Sequence, residues 1–256
     1  MGVCDDEMVS ANSDQLLIIA LTFFFAAFAK GTTGLGFSTT CLPFLVYAIG
    51  LKAALPLLII PSLASNILVM RDAGHFKETV TRFWPLFVTA VPGIVIGLWL
   101  LNNVDSRLSA AVLGGVLVLY CVFALMNPRL VLPPSLEKPL APLAGFSTGI
   151  LNGLTGSQVM PVLPYLLSLQ LEPNRFVQAI NCSFTLSSLV MAAGLAQLGL
   201  MTAETVLISS LGLVLVWAGI KIGGSVRRHL SPQVFRILIL LFLTVLGASL
   251  VVRWAM

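Results

Sequence analysis

Two short stretches of this sequence carry the groups that could bind a solute. The first reads Lys30-Gly31-Thr32-Thr33-Gly34-Leu35-Gly36-Phe37-Ser38-Thr39-Thr40. Its three glycines within six positions permit the unusual backbone angles of a helix break and let N–H groups approach a ligand closely. A helix resuming near Phe37–Thr40 presents free N–H groups and the positive end of its dipole to that break. The hydroxyls of Thr32, Thr33, Ser38 and Thr39 add further donors. Such a nest suits a small anion. The second stretch, Asn152-Gly153-Leu154-Thr155-Gly156-Ser157-Gln158, repeats the pattern ahead of a short proline-bearing segment, with Asn152 in the position of Lys30. Together the two offer neutral donors and one cation.

Each feature also has a plainer explanation. The glycines can serve close helix packing, and Ser and Thr hydroxyls can bond back to their own helix. Lys30 is the one basic residue that no loop accounts for, so it is either part of a site within the membrane or a side chain reaching toward headgroups. The acids Asp72, Glu78, Asp105, Glu137, Glu172 and Glu204 all fall in expected loops, and His75 and His229 lie at loops or boundaries. An electropositive centre without carboxylates argues for an anionic substrate. It also argues against catalysis, which needs a nucleophile with a base, or a metal with ligands. Further polar groups that could line a pathway are Ser62, Ser65 and Asn66, and then Asn181, Ser183, Thr185, Ser187 and Ser188. The cysteines show no metal or redox spacing, and no cofactor is expected.

The elements that must position these groups are set by hydropathy. Of 256 residues, 58% are hydrophobic and 9% are charged, with a mean hydropathy of +1.01. A soluble domain carries about 25% charged residues, so the chain is expected to be a polytopic membrane protein. Ten apolar segments are expected, at about 15–35, 37–50, 53–70, 83–101, 108–126, 140–155, 158–171, 176–198, 203–220 and 233–253. All are read as helices, since open strands leave backbone groups unsatisfied in lipid. The second and seventh contain Pro43 and Pro161 with Pro164, and are too short to span comfortably, which suggests re-entrant or broken helices. Residues 1–14 carry Asp5, Asp6, Glu7 and Asp14 without Lys or Arg, so the first apolar run reads as a retained span rather than a signal peptide.

Sliding the chain by 122 residues lays Gly31-Thr32-Thr33-Gly34 on Gly153-Leu154-Thr155-Gly156, Ser65 on Ser187, Gly97 on Gly219, and Leu108-Ser109 on Leu230-Ser231. Each copy holds five segments, so the second should enter the membrane inverted. With the N-terminus outside, ten of the Lys and Arg residues fall inside and three (Lys52, Arg107, Arg253) outside, with Lys30 left over. The expected organisation is an extracytoplasmic tail at 1–14, a first repeat at 15–126, a cytoplasmic linker at 127–139 and an inverted second repeat at 140–256. Loop placement accounts for the net charge of +4, and no nucleic-acid partner is expected.

These residues resemble the sulfite exporter TauE/SafE family of membrane transporters. The resemblance rests on Lys30–Phe37 leading to Leu42-Pro43-Phe44-Leu45, and on Gly149–Gly156 leading to Pro161, Pro164 and Tyr165. Pro92-Gly93 with Gly97, and Gly219 through Arg228-His229-Leu230-Ser231-Pro232, add to it. Ser157-Gln158-Val159-Met160 depart from the family's second motif, where glycines and prolines commonly follow the break. The resemblance implies transport of sulfite, organosulfonates or related sulfur-containing or carboxylate anions across a bacterial inner membrane. Inverted repeats with interrupted helices imply alternating access around a midplane site. The residues expected there are Lys30, Gly31, Thr32, Thr33, Gly34, Ser38, Ser65, Asn66, Asn152, Gly153, Thr155, Gly156, Ser157, Gln158, Asn181 and Ser187. An anion channel and, more remotely, an intramembrane enzyme are the alternatives. The expected partners are the small anion and the lipid bilayer, and homo-oligomerisation is left open.

Overall fold

A computed structural model of the chain describes residues 13–33, 36–126, 130–226 and 232–255. The N-terminal tail up to residue 12, with Cys4, and also Gly34, Leu35, Arg129, Arg227, Arg228 and His229 lie outside the described residues. Among the described residues ten helices follow one another: α1 Ser13–Thr33, α2 Phe37–Ile49, α3 Leu51–Ala73, α4 Phe76–Asn103, α5 Ser106–Met126, α6 Pro134–Thr155, α7 Val162–Ser168, α8 Pro173–Gln197, α9 Ala203–Val226 and α10 Pro232–Ala255. No strand occurs among the described residues. Seven helices are long and apolar enough to cross a membrane. Large apolar side chains such as Trp99, Leu211, Val214 and Trp217 stand exposed on the outer surface, as lipid-facing residues must.

All ten expected segments are present, and their limits differ where charge meets the helix ends. The fourth begins at Phe76 rather than residue 83 and bends at Phe83, two residues before Pro85, whose ring removes a backbone donor. The sixth begins at Pro134, where proline suits the first helical turn. Glu137 in its first turns binds Arg82 of α4, which carries both helices beyond their apolar runs. The seventh shrinks to Val162–Ser168 because residues 157–161 stay outside the helix. At 13 and 7 residues, α2 and α7 reach roughly 20 and 10 Å, well short of a hydrocarbon core of about 30 Å.

The repeat governs how the helices pack. The 122-residue shift carries α1 onto α6, α3 onto α8, α4 onto α9 and α5 onto α10. It also carries the packing of α1 on α9 onto that of α6 on α4, the two most intimate contacts between different helices. Both contacts are made by glycines: Gly31, Gly219 and Gly223 in one, Gly93, Gly97, Gly145, Gly149 and Gly153 in the other. A methyl group at any of these would run into the facing backbone, so the glycines set the helix separation. The equivalent helices α3 and α8 run antiparallel, with Cys182 against Met70 at one end and Met191 beside Leu55 and Leu58 toward the other. An antiparallel pair of equivalent helices is what an inverted second copy requires.

Candidate functional site

The start of α2 and the end of α6 border the same space inside the bundle. On one side α2 starts at Gly36, and its first helical hydrogen bond runs from the Thr40 N–H to the Gly36 carbonyl at 3.3 Å. That leaves the N–H groups of Phe37, Ser38 and Thr39 without a helical acceptor. On the other side α6 ends at Gly156, whose φ of +77° places it in the left-handed region and whose N–H caps the Asn152 carbonyl at 2.7 Å. The chain then runs through Ser157 and Gln158 before α7 begins.

Two adjoining cavities lie between these breaks. The first is lined by Gly36, Ser38, Thr39, Ser65, Asn66, Ser157 and Gln158, and closed by Leu42, Pro43, Leu113, Leu117 and Phe184. The second is lined by Ser38, Ser62, Asn152, Gln158 and Ser188 against Leu55, Leu58, Ile59 and Met191. Ser38, Gly156 and Gln158 border both. Ser38 is hydrogen-bonded to Ser62, which ties the start of α2 to α3. The Gln158 amide donates to the Ser188 hydroxyl at 3.1 Å and so reaches from the second break to α8. Among the described residues, no Asp, Glu, Lys, Arg or His lines either cavity.

Asn152 is the most unusual group present. It is completely buried, and neither its side-chain nitrogen Nδ2 nor its side-chain oxygen Oδ1 has a hydrogen-bond partner among the described residues. Buried polar atoms are nearly always paired, so an unpaired side-chain amide bordering a cavity is an exception. Asn66 is also buried and borders the first cavity.

The other expected residues divide cleanly. Thr32 is buried and its hydroxyl donates to the carbonyls of Phe28 and Ala29 at 3.1 and 3.0 Å, bonding back into α1. Thr155 does the same to Leu151 at 2.6 Å and accepts the Ser157 N–H at 3.2 Å, fixing the break rather than lining a cavity. Gly31 and Gly153 sit in the helix contacts already described. Asn181 donates to the Val177 carbonyl at 2.8 Å and borders neither cavity, and Ser187 is buried away from both. Lys30 is half-buried in the last turn of α1 and lines neither cavity. Gly34 and the Thr33 side chain lie outside the described residues.

Three polar lining residues, Thr39, Ser62 and Ser188, were read from the sequence as donors or pathway-lining groups but not placed among the expected site residues. Ser188 had a usable signal, because the 122-residue shift that pairs Ser65 with Ser187 also pairs Asn66 with Ser188. The apolar wall had none, since Leu113, Phe184 and Met191 look like any other buried side chain in sequence.

The cavities are small, about 30 and 20 Å³. A single water needs about 10–15 Å³, so the pair has room for a few waters. The arrangement is narrow, dense in neutral donors and, among the described residues, free of negative charge. Such a site can replace the hydration shell of a small anion once the helices part. Among the described residues no cluster of three or more His, Cys, Asp or Glu could hold a metal.

No curated protein and no solved structure matches the chain. A family model does, over residues 19–250, nearly the whole chain: Sulfite exporter TauE/SafE.

Proposed function

Because the chain belongs to the sulfite exporter TauE/SafE family, and is accordingly a membrane transporter and not an enzyme, we propose that it is a secondary transporter for a small anion. The solute is sulfite, an organosulfonate or a related sulfur-containing or carboxylate anion, and it binds where the two helix breaks meet. The observation that carries this reading is the convergence of the α2 start and the Gly156–Gln158 break on cavities lined by donors and by no carboxylate. The unpaired amide of Asn152 supports it.

In this reading the anion exchanges water for the hydroxyls of Ser38, Thr39 and Ser65, the amides of Asn66, Asn152 and Gln158, and the free N–H groups at the start of α2. Neutral donors and a helix N-terminus bind an anion without a salt bridge that would have to break on release. Release matters as much as capture in a carrier, so modest donors suit the task. Lys30, one turn before the first break, adds positive potential without direct contact. The small, narrow cavities fit an occluded resting state, from which inward and outward opening alternate as one repeat rocks against the other.

The charges at the two ends support an orientation with the N-terminus outside, in a bacterial cytoplasmic membrane. Arg82 with Glu137, and Arg175 with Glu78 and Glu172, join the starts of α4, α6 and α8 at one end. Lys52, Arg107 and Arg253 lie at the other. The end richer in Lys and Arg is assigned to the cytoplasm.

Purified protein in liposomes tests the reading. Uptake of radiolabelled sulfite or methanesulfonate is expected to saturate, to respond to an imposed ion gradient, and to fall at least tenfold in Asn66→Leu/Gln158→Leu. Uptake that does not saturate would indicate a channel. Unchanged uptake by the folded double variant would remove the site.

A further inference from the structure

A third cavity of quite different character opens at the end of the molecule opposite the ion-paired cluster. It is far larger, about 410 Å³, and lies between the end of α2, the starts of α3 and α5, and the end of α10. Two arginines line it, Arg107 of α5 and Arg253 of α10. Neither guanidinium has a carboxylate within ion-pairing distance among the described residues, whereas Arg82 and Arg175 at the opposite end are both paired. Asp105 accepts the backbone N–H of Arg107 at 2.8 Å and does not line the cavity.

Arg253 is already held in place. Its guanidinium lies 4.8 Å from the centre of the Tyr47 ring and donates to the Tyr47 carbonyl at 3.4 Å. Stacking of this kind orders the planar fork and leaves its other donors free. The first turns of α3 and α5, at Leu51 and at Ser106, border the same space and turn two positive helix ends toward it. In the orientation given above these arginines stand on the side where positive charge is disfavoured. Two of the Lys and Arg residues at that end therefore line one pocket, without an ion pair among the described residues.

The pocket also lies on a route to the central site. Val46 and Ala110 line it, while Leu42 and Leu113, about one helical turn deeper on the same two helices, close the first central cavity. Val46, Leu42 and Leu113 are buried and form the apolar septum between the two spaces.

We propose that Arg107 and Arg253 form a second, outer binding site for an oxyanion, a vestibule separate from the central site. That the occupant is the transported anion, captured before it crosses the septum, rests on the transporter reading. A phospholipid phosphate offers the same chemistry from another source. Guanidinium forks bind sulfite, sulfonate and phosphate oxygens alike, and their exposure here makes binding weak and sensitive to salt.

The test is equilibrium binding of radiolabelled sulfite to full-length protein in phosphatidylcholine nanodiscs, at low and high ionic strength. Three proteins are compared: wild type, Arg107→Gln/Arg253→Gln, and the central variant Asn66→Leu/Gln158→Leu. Wild type should show two components. The arginine variant should lose the salt-sensitive one, by about tenfold per arginine, and keep the other; the central variant should do the reverse. Arg107→Lys/Arg253→Lys, which keeps the charge and loses the fork, should fall between. A second arm adds phosphatidylglycerol. If that lipid displaces the arginine-dependent sulfite, and native mass spectra find it retained by wild type and not by the Gln variant, the site belongs to a headgroup. A wild type that binds no sulfite defeats the transporter reading, and the lipid arm then decides the vestibule alone. Sulfite binding and lipid retention both indifferent to the arginines, in variants with unchanged thermal unfolding, would overturn the proposal.

Discussion

Replacing Asn152 with leucine sets stability and transport against each other. The side chain is 0% exposed, and both of its polar atoms lack partners. An unsatisfied buried polar group costs about 1–3 kcal/mol. Leucine has nearly the same volume and no polar atoms, and its neighbours across the cavity are Leu55, Leu58, Ile59 and Met191. The empty protein should therefore gain stability. The gain belongs toward the low end, about 1–2 kcal/mol, because the adjoining cavity can hold a water that partly satisfies the amide. For a chain of this size that corresponds to a rise of roughly 2–8 °C in the midpoint of thermal unfolding. The same substitution removes a donor and an acceptor from the proposed site, so transport in liposomes should drop at least tenfold, as should the stabilisation conferred by added sulfite. The two readouts move in opposite directions, which a structural role for Asn152 cannot produce. A variant that is less stable than wild type yet transports at full rate would make Asn152 a structural residue outside the site.

Other substitutions probe the supports around the site. Gly156→Ala forces a Cβ into a left-handed residue and against the Leu55 and Leu42 side chains; a loss of about 1–3 kcal/mol in thermal unfolding is expected, with transport reduced. Gly97→Val wedges α4 from α6, where Gly97 meets the backbone at Ile150, and should cost about 1–3 kcal/mol or more. Gly115→Ala is the matched control, since Gly115 faces open space, and should leave unfolding unchanged or slightly stabilised. Lys30→Ala should lower transport rate with little change in stability; full transport at unchanged apparent affinity would take Lys30 out of the mechanism.

Much of the architecture was legible because hydropathy and glycine spacing are direct physical records of it. Apolar runs mark helices in lipid, and the recurrence of Gly31 at Gly153 and Gly97 at Gly219 marks the equivalent close contacts of α1 with α9 and α6 with α4. Ser62, Ser65 and Asn66 were readable as one face, since positions three and four apart share a side of a helix. What sequence did not reveal is rotation and competition. Ser187 and Ser188 differ by one residue and about 100° around the axis, and only the second lines a cavity. Thr32 and Thr155 have the right groups at the right breaks, yet carbonyls four residues back claim their hydroxyls. The identity of Lys30 suggested a cation in the site, but its side chain borders neither cavity, and the lining is wholly neutral. Nor did the departure at Ser157–Met160 announce its consequence, which is that Gln158 crosses the space to Ser188.

If the two breaks form one anion site, a bound anion sits between them. Selenite has the shape and charge of sulfite and scatters anomalously, so a crystal structure of the protein with selenite would locate it. An anomalous peak is expected between the start of α2 and Gln158, within hydrogen-bonding reach of Ser38, Asn66 and Asn152, whether or not a second peak appears beside Arg107 and Arg253. A selenite-transporting protein whose crystals hold the anion elsewhere, with that space empty, would contradict a single shared site.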